Sequence, residues 1–212
     1  MKKRRSNKYI LLLAAATFFI LFFIFTFIVK SKSLDQFDFD TTVRIQNHLP
    51  RRFDPILSFF SLIGSFEIIS IFIAILLILF KKLRAILIIG LYGGAHIVEI
   101  FGKYFMHHPG PPFLFFRYDI NFLFPSSYVQ TGSSYPSGHS LRSVFFTILF
   151  IFFLTKFKKL NKWVRVLISM LAIGLCFVML LSRISLGEHW TTDVIGGSLM
   201  GLAIGFSSLL LL

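Results

Sequence analysis

The chain has 212 residues, 56% hydrophobic and only 15% charged. A soluble domain of this size carries about a quarter charged residues, so lipid is the expected solvent for most of this chain. The net charge of +13 would suit a polyanion-binding protein, but the basic residues cluster between apolar runs, which argues against nucleic acid as a partner. The single cysteine, Cys176, lies within an apolar run, excludes an internal disulfide and reads as a small buried hydrophobe.

A spanning helix needs about 20 mostly apolar residues. Six segments qualify, at about 9–29, 56–80, 85–103, 139–155, 166–182 and 193–212. The first follows Met1-Lys2-Lys3-Arg4-Arg5, which resembles the start of a signal peptide. Its apolar stretch is long, however, and Val29-Lys30-Ser31-Lys32 offers no small-residue cleavage site, so residues 1–30 read as an anchor helix. Residues 31–55 form a connector in which Phe37, Phe39, Val43, Ile45 and Leu49 are spread among charges. An amphipathic piece lying at the interface and a polar loop both fit this pattern. Residues 56–212 hold the remaining five spans. Within them, the loop 104–135 is rich in Pro, Phe and Ser, and long loops of this kind are often functional.

Orientation follows from lysine and arginine. Three stretches contain basic residues and no acid: Lys2, Lys3, Arg4, Arg5 and Lys8; Lys81, Lys82 and Arg84; and Lys156, Lys158, Lys159, Lys162 and Arg165. In a six-span protein all three fall on one side, which is then cytoplasmic together with both termini. The opposite connectors carry Asp35, Asp38, Asp40, Asp54, Asp119, Glu188 and Asp193.

Three polar clusters interrupt the apolar background, all at span ends on that opposite, extracytoplasmic side. The first is Glu99 and Lys103 followed by His107-His108-Pro109-Gly110-Pro111-Pro112. Lys103 lies four residues after Glu99, within reach across one helical turn, although a lysine at a bilayer edge also snorkels. Glu67 and His96 read as buried structural polar groups within spans. The second cluster is Ser134-Tyr135-Pro136-Ser137-Gly138-His139, a turn that opens a helix. Backbone N–H groups at a helix N-terminus point at anions, Ser137 adds a hydroxyl, and His139 could protonate a leaving oxygen. The third is Ser182-Arg183, then His189 and Asp193. On a helix Asp193 could accept from one ring nitrogen of His189 and leave the other free to attack, with Arg183 holding phosphate oxygens through its planar fork. Each cluster also has a plainer reading: an N-capping turn for the second, a salt-bridged helix start for the third.

Taken jointly, in this order and at span ends, the clusters resemble the type 2 phosphatidic acid phosphatase / vanadium haloperoxidase superfamily, in its membrane lipid phosphatase branch. That pattern runs Lys, six residues, Arg-Pro; then Pro-Ser-Gly-His; then Ser-Arg, five residues, His, three residues, Asp. The second motif matches at Pro136 to His139 and the third at Ser182, Arg183, His189 and Asp193. Asp54-Pro55 and the stretch from Ser61 to Ser65 also look like the family's second span, so the resemblance covers roughly residues 50–212. The first motif departs. Lys103 is present, but Gly110 stands at the arginine position before Pro111, and His108-Pro109 replaces the Arg-Pro found just before it in many relatives. His107, His108, Arg117 and Arg142 are the alternatives for the missing guanidinium.

The resemblance implies an all-α integral membrane protein, six transmembrane helices in a bundle with an extracytoplasmic active site. It implies His189 as a nucleophile that forms a phosphohistidine, Asp193 as its orienting carboxylate and His139 as general acid and base. Lys103, Ser137, the Gly138 backbone and Arg183 would hold the phosphoryl oxygens. No cofactor and no metal are expected, since cationic side chains can supply the charge neutralisation. The expected substrate is a lipid phosphate or pyrophosphate of the undecaprenyl pyrophosphate, phosphatidic acid or phosphatidylglycerol phosphate class, in the plasma membrane of a prokaryote. A lipid phosphotransferase using the same histidine is the alternative, and a non-catalytic lipid-binding or transport protein is the reading from another class.

Overall fold

A computed structural model describes residues 2–79, 85–122, 124 and 132–212. Among these residues the chain forms eight α-helices: α1 Lys2–Lys30, α2 Asp35–His48, α3 Asp54–Ile63, α4 Phe66–Leu79, α5 Ala85–Met106, α6 Gly138–Lys156, α7 Lys162–Ser185 and α8 Thr191–Leu211. Two short 3-10 turns, Arg51–Phe53 and Phe113–Phe115, complete the described regular structure. The basic residues Lys81, Lys82 and Arg84 of the second connector lie outside the described residues.

Among the described residues five helices are long and apolar enough to cross a membrane: residues 8–30 of α1, 86–106 of α5, and α6, α7 and α8. The segment expected as one span over 56–80 is two helices, α3 and α4, which meet at an angle of 54°. The break falls at Gly64-Ser65. Ser65 restarts the helix, its hydroxyl accepting from Ile68 N at 3.4 Å and its carbonyl from Ile69 N at 3.1 Å. As a pair α3 and α4 are long and apolar enough for one more crossing, a geometry that fits a broken span or a re-entrant loop. The lipid-facing surface is apolar, with Phe27, Leu167, Met170 and Phe177 exposed along α1 and α7. This is an integral membrane protein, and such a surface is stable only in lipid.

Helix α8 lies at the centre, packed against α1 and α6. Gly197, Gly201 and Gly205 recur every four residues along its α6-facing side. A Cβ on Gly201 would lie 2.6 Å from Leu141 O, and one on Gly205 2.5 Å from Ile148 Cδ1. Small residues at this spacing let two backbones approach, and in lipid that van der Waals contact is a main source of helix association. The core between these helices is aromatic and aliphatic, with Phe22, Tyr135, Leu141, Phe145, Leu149, Phe153, Met200 and Ile204 buried together. Tyr135, fully buried, stacks on Phe22 and shares a 2.8 Å hydrogen bond with Thr26 Oγ1. It thereby fastens α1 to the turn that opens α6.

The mixed connector is resolved in favour of a helix. Helix α2 carries Asp38, Thr42 and Gln46 at four-residue spacing, and all three are buried. Its apolar Phe37 and Phe39 are exposed. The polar stripe therefore faces protein. The ends of α1, α5 and α7, the starts of α6 and α8, and helix α2 all gather at one end of the bundle. Lys156, Lys158, Lys159, Lys162 and Arg165 lie at the other end.

Candidate active site

The three polar clusters meet at the α2 end of the bundle. Asp193, fully buried in the first turn of α8, accepts from His189 Nδ1 at 3.3 Å and from the Trp190 backbone N–H at 2.9 Å, both through Oδ2. With Nδ1 committed to the carboxylate, the second ring nitrogen of His189 is left unprotonated. Burial, then the positive charges of Arg183 and Lys103, hold His189 well below its ordinary value of 6.5, so the ring is neutral at neutral pH. The loop that presents it turns at Gly187, where φ is +67° and Phe115 O leaves no room for a side chain.

Ser137 caps α6: its hydroxyl accepts from Ser140 Oγ at 3.0 Å and from Ser140 N at 3.5 Å. Its backbone N–H donates to Asp193 O at 3.0 Å, which joins the second cluster to the third. His139 follows in the first turn of α6, and Arg183, Arg142, His189 and Lys103 all act on it electrostatically.

Arg183, 4% exposed, donates through Nη1 to Glu188 Oε2 at 2.6 Å and to Ser61 Oγ. Ser61 Oγ donates in turn to Glu188 Oε2 at 2.9 Å. A small cleft lined by Ser61, Leu62, Ser65, Tyr118, His139, Arg183 and Glu188 opens beside these groups. Glu188 and Tyr118 were not singled out by sequence. Glu188 directly precedes His189, and a carboxylate five residues after an arginine, across the α7–α8 loop, is the available signal.

The first cluster converges on Glu99. Its Oε1 pairs with Lys103 Nζ at 3.0 Å, and its Oε2 with Arg142 Nη1 and His96 Nδ1, each at 3.1 Å. His96 therefore joins the charged network, packed edge-on against Phe66 and Tyr92, and Glu67 is half-buried. The four alternatives for the missing guanidinium separate clearly. Arg142 Nη2 reaches His139 Nδ1 at 3.5 Å. His108 lies on the far side of Asp193, with Nε2 3.5 Å from Oδ1. Arg117 is spent on the carbonyls of Gln46 and Leu49, at 3.1 and 3.4 Å. His107 is exposed, with φ at +48°. Only Arg142 of the four contacts His139 among the described residues. Also among the described residues, no group of three or more His, Cys, Asp or Glu side chains is arranged to hold a metal ion.

This arrangement brings two imidazoles, an orienting carboxylate and three cationic side chains to the N-termini of two helices. Chemically it can bind an anion, deliver a nitrogen nucleophile and exchange a proton. Comparison with known proteins identifies the family. The family profile described as "PAP2 superfamily" matches residues 81–212. Phosphatidylglycerophosphatase B of Bacillus subtilis (strain 168) is 32% identical over 81 residues, 36% of this chain. The match takes in 38% of that relative's length, well under two thirds of it. The crystal structure described as the first transmembrane PAP2 type phosphatidylglycerolphosphate phosphatase from Bacillus subtilis is similar with a TM-score of 0.74. It is 18% identical, with 92% of this chain and 93% of that one covered, a likeness of fold.

Proposed function

The chain belongs to the PAP2 superfamily, and from that premise we propose that it is a membrane lipid phosphatase working through a phosphohistidine. The observation that carries the proposal is the His189–Asp193 pair at 3.3 Å, with His139 and the cations beside it. His189 Nε2 attacks phosphorus and forms a P–N bond as the P–O bond to the lipid breaks. His139 gives its proton to the leaving oxygen. A water then donates its proton to His139 and attacks phosphorus, the P–N bond breaks, and phosphate leaves with His189 restored. Asp193 stabilises the ring cation formed at the first step. Lys103, Arg183, Ser137, the Gly138 backbone and, in place of the missing arginine, Arg142 hold the phosphoryl oxygens. The cations supply the electrostatic stabilisation, so the reaction is read as metal-independent.

Phosphatidylglycerol phosphate is the first substrate to test, on the strength of the named relative. Phosphatidic acid and undecaprenyl pyrophosphate belong in the same panel. Residues 1–30 are read as anchor, 31–55 as connector and 56–212 as catalytic core. The basic residues 156–165 at the far end of the bundle support cytoplasmic termini and an extracytoplasmic site. A lipid phosphotransferase that passes the phosphoryl group from the same histidine to an acceptor other than water is the second reading. The cavity of about 410 Å³ lined by His107, His108 and Trp190 lies on the other side of Asp193 from His189 and does not decide between the two.

The test is phosphate release in detergent, with chelator and no added metal, for wild type and His189→Ala. Chelator-resistant release lost in the variant is expected. Phosphorylated acceptor without free phosphate would favour the transferase, and release that survives in His189→Ala would overturn the mechanism.

A further inference from the structure

Helix α2 lies outside the matched family segment, yet its buried polar stripe grips both ends of the loop that carries His189. At the α7 end, Gln46 Nε2 donates to Ser185 O at 2.9 Å and to Phe115 O at 2.7 Å. At the α8 end, Thr41 Oγ1 shares a 2.7 Å hydrogen bond with Thr191 Oγ1. Asp38, 2% exposed, accepts from Thr192 N at 2.8 Å through Oδ1 and from Thr192 Oγ1 at 2.6 Å through Oδ2.

A carboxylate out of water is costly unless it is paired. Here it sits at the N-terminus of α8, where the first N–H groups lack partners within the helix and the dipole favours an anion. Trp190, the residue preceding α8, offers no side-chain oxygen to do this. Asp38 is in effect a cap supplied by another helix, on the residue next to Asp193. His108 completes the bridge. Its Nε2 lies 3.8 Å from Asp38 Oδ2, 3.5 Å from Thr192 Oγ1 and 3.5 Å from Asp193 Oδ1. Burial keeps that ring below its ordinary value against the pull of Asp38 and Asp35, with Lys32 acting in the same sense as burial. The ring thus lies between the two carboxylates, with its hydrogen-bond contact to Thr192 Oγ1. The His108 backbone is itself held by Ser133 Oγ and Ser134 N, just ahead of the α6 turn.

We propose that Asp38 is a positioning residue of this site, holding the first turn of α8 through Thr192 and, with His108, keeping the Asp193 carboxylate aligned on His189 Nδ1. The inference takes its catalytic consequence from the proposed function, but its geometric part stands apart from it.

The experiment therefore has two readouts on full-length protein in detergent. Imidazole ¹⁵N spectra, with His189→Ala to assign the ring, report its tautomer. Phosphate release from phosphatidylglycerol phosphate reports kcat and KM. Asp38→Asn keeps shape and removes the charge, Thr192→Val removes only the hydroxyl contact, and Asp40→Asn on the same helix is the control. The expected result is a single Nδ1-protonated tautomer in wild type and Asp40→Asn, and mixed tautomers in Asp38→Asn and Thr192→Val. In those two variants kcat should fall about 10- to 100-fold with KM little changed, the cost of a small misplacement of a reacting group. In an Asp193→Asn background, Asp38→Asn should add less than twofold to the loss. A wild-type tautomer and kcat in both variants would overturn the proposal, as would a full additional loss in the Asp193→Asn background. If wild type releases no phosphate from any lipid of the panel and phosphorylates no acceptor, the proposed function fails, while the tautomer shift still decides the role of Asp38.

Discussion

The Glu99 carboxylate rests against Gly138 so closely that no Cβ fits between them. The glycine of the α6 turn is thus required by a side chain on α5. Glu99 is the common anion of Lys103, Arg142 and His96, and removing it from place would leave two cations unneutralised in a buried site. Gly138→Ala is expected to push the Glu99 carboxylate aside and cost about 1–3 kcal/mol. Phosphate release should fall at least about 100-fold and the unfolding temperature in detergent should drop. Wild-type values for both would show that the contact is not needed.

Arg142 is the residue we assign to the missing guanidinium. Arg142→Gln removes a charge-assisted contact of about 1.5–3 kcal/mol, so kcat/KM for a lipid phosphate should fall about 10- to 100-fold. Gly110→Arg, which restores the family's own position, should recover part of that loss in the same background. Arg117→Gln, whose partners are carbonyls of the α2 end, should leave KM unaltered. An Arg142→Gln enzyme with unchanged kcat/KM would sink the assignment.

The pH profile follows from the environment of His189. The nucleophile we propose must be neutral to attack, and burial with Arg183 and Lys103 disfavours the charged form of His189. The neutral form therefore persists as pH falls below 6.5, and the acid limb of kcat/KM assigned to this ring should lie below that value. Lys103→Met removes one positive neighbour, favours protonation and should move the limb to higher pH on the residual activity. A limb at or above pH 7 in wild type would contradict this account.

The contact of α8 with α6 depends on the missing Cβ of Gly201. A methyl group there would meet Leu141 O at 2.6 Å and Val144 Cβ at 2.9 Å. Gly201→Ala should destabilise the protein by about 1–3 kcal/mol, read as a lower unfolding temperature in detergent. Gly174 on α7 has nothing within 4 Å of its Cβ position, and Gly174→Ala should unfold like wild type. Equal temperatures for the two variants would rule out the close approach as a source of stability.

Much of this was legible in the chain because its signals are local. Among the described residues five apolar runs are helices of spanning length. His189 and Asp193, four residues apart, do meet, although His189 reaches the carboxylate from the loop just before α8 and not from the helix itself. The break between α3 and α4 was not legible, because hydropathy runs on through Gly64-Ser65 and records transfer into lipid rather than backbone direction. Helix α2 stood undecided between interfacial helix and loop. Its Asp38, Thr42, Gln46 spacing was a usable helical signal, but the apolar residues between them pointed equally to lipid.

By itself the sequence determined the solvent of this protein, the approximate spans, the asymmetry of charge and the identity of the motif residues. The first three follow from composition and from runs along the chain, and the motif residues from their resemblance to the family's pattern. Only the tertiary structure decided that Glu99 gathers Lys103 and Arg142, that Arg142 rather than Arg117 meets His139, and that Asp38 caps the helix of Asp193 from 155 positions upstream. Buried polar groups must find partners, and which partner is in reach depends on how distant helices pack, an arrangement that no local pattern records.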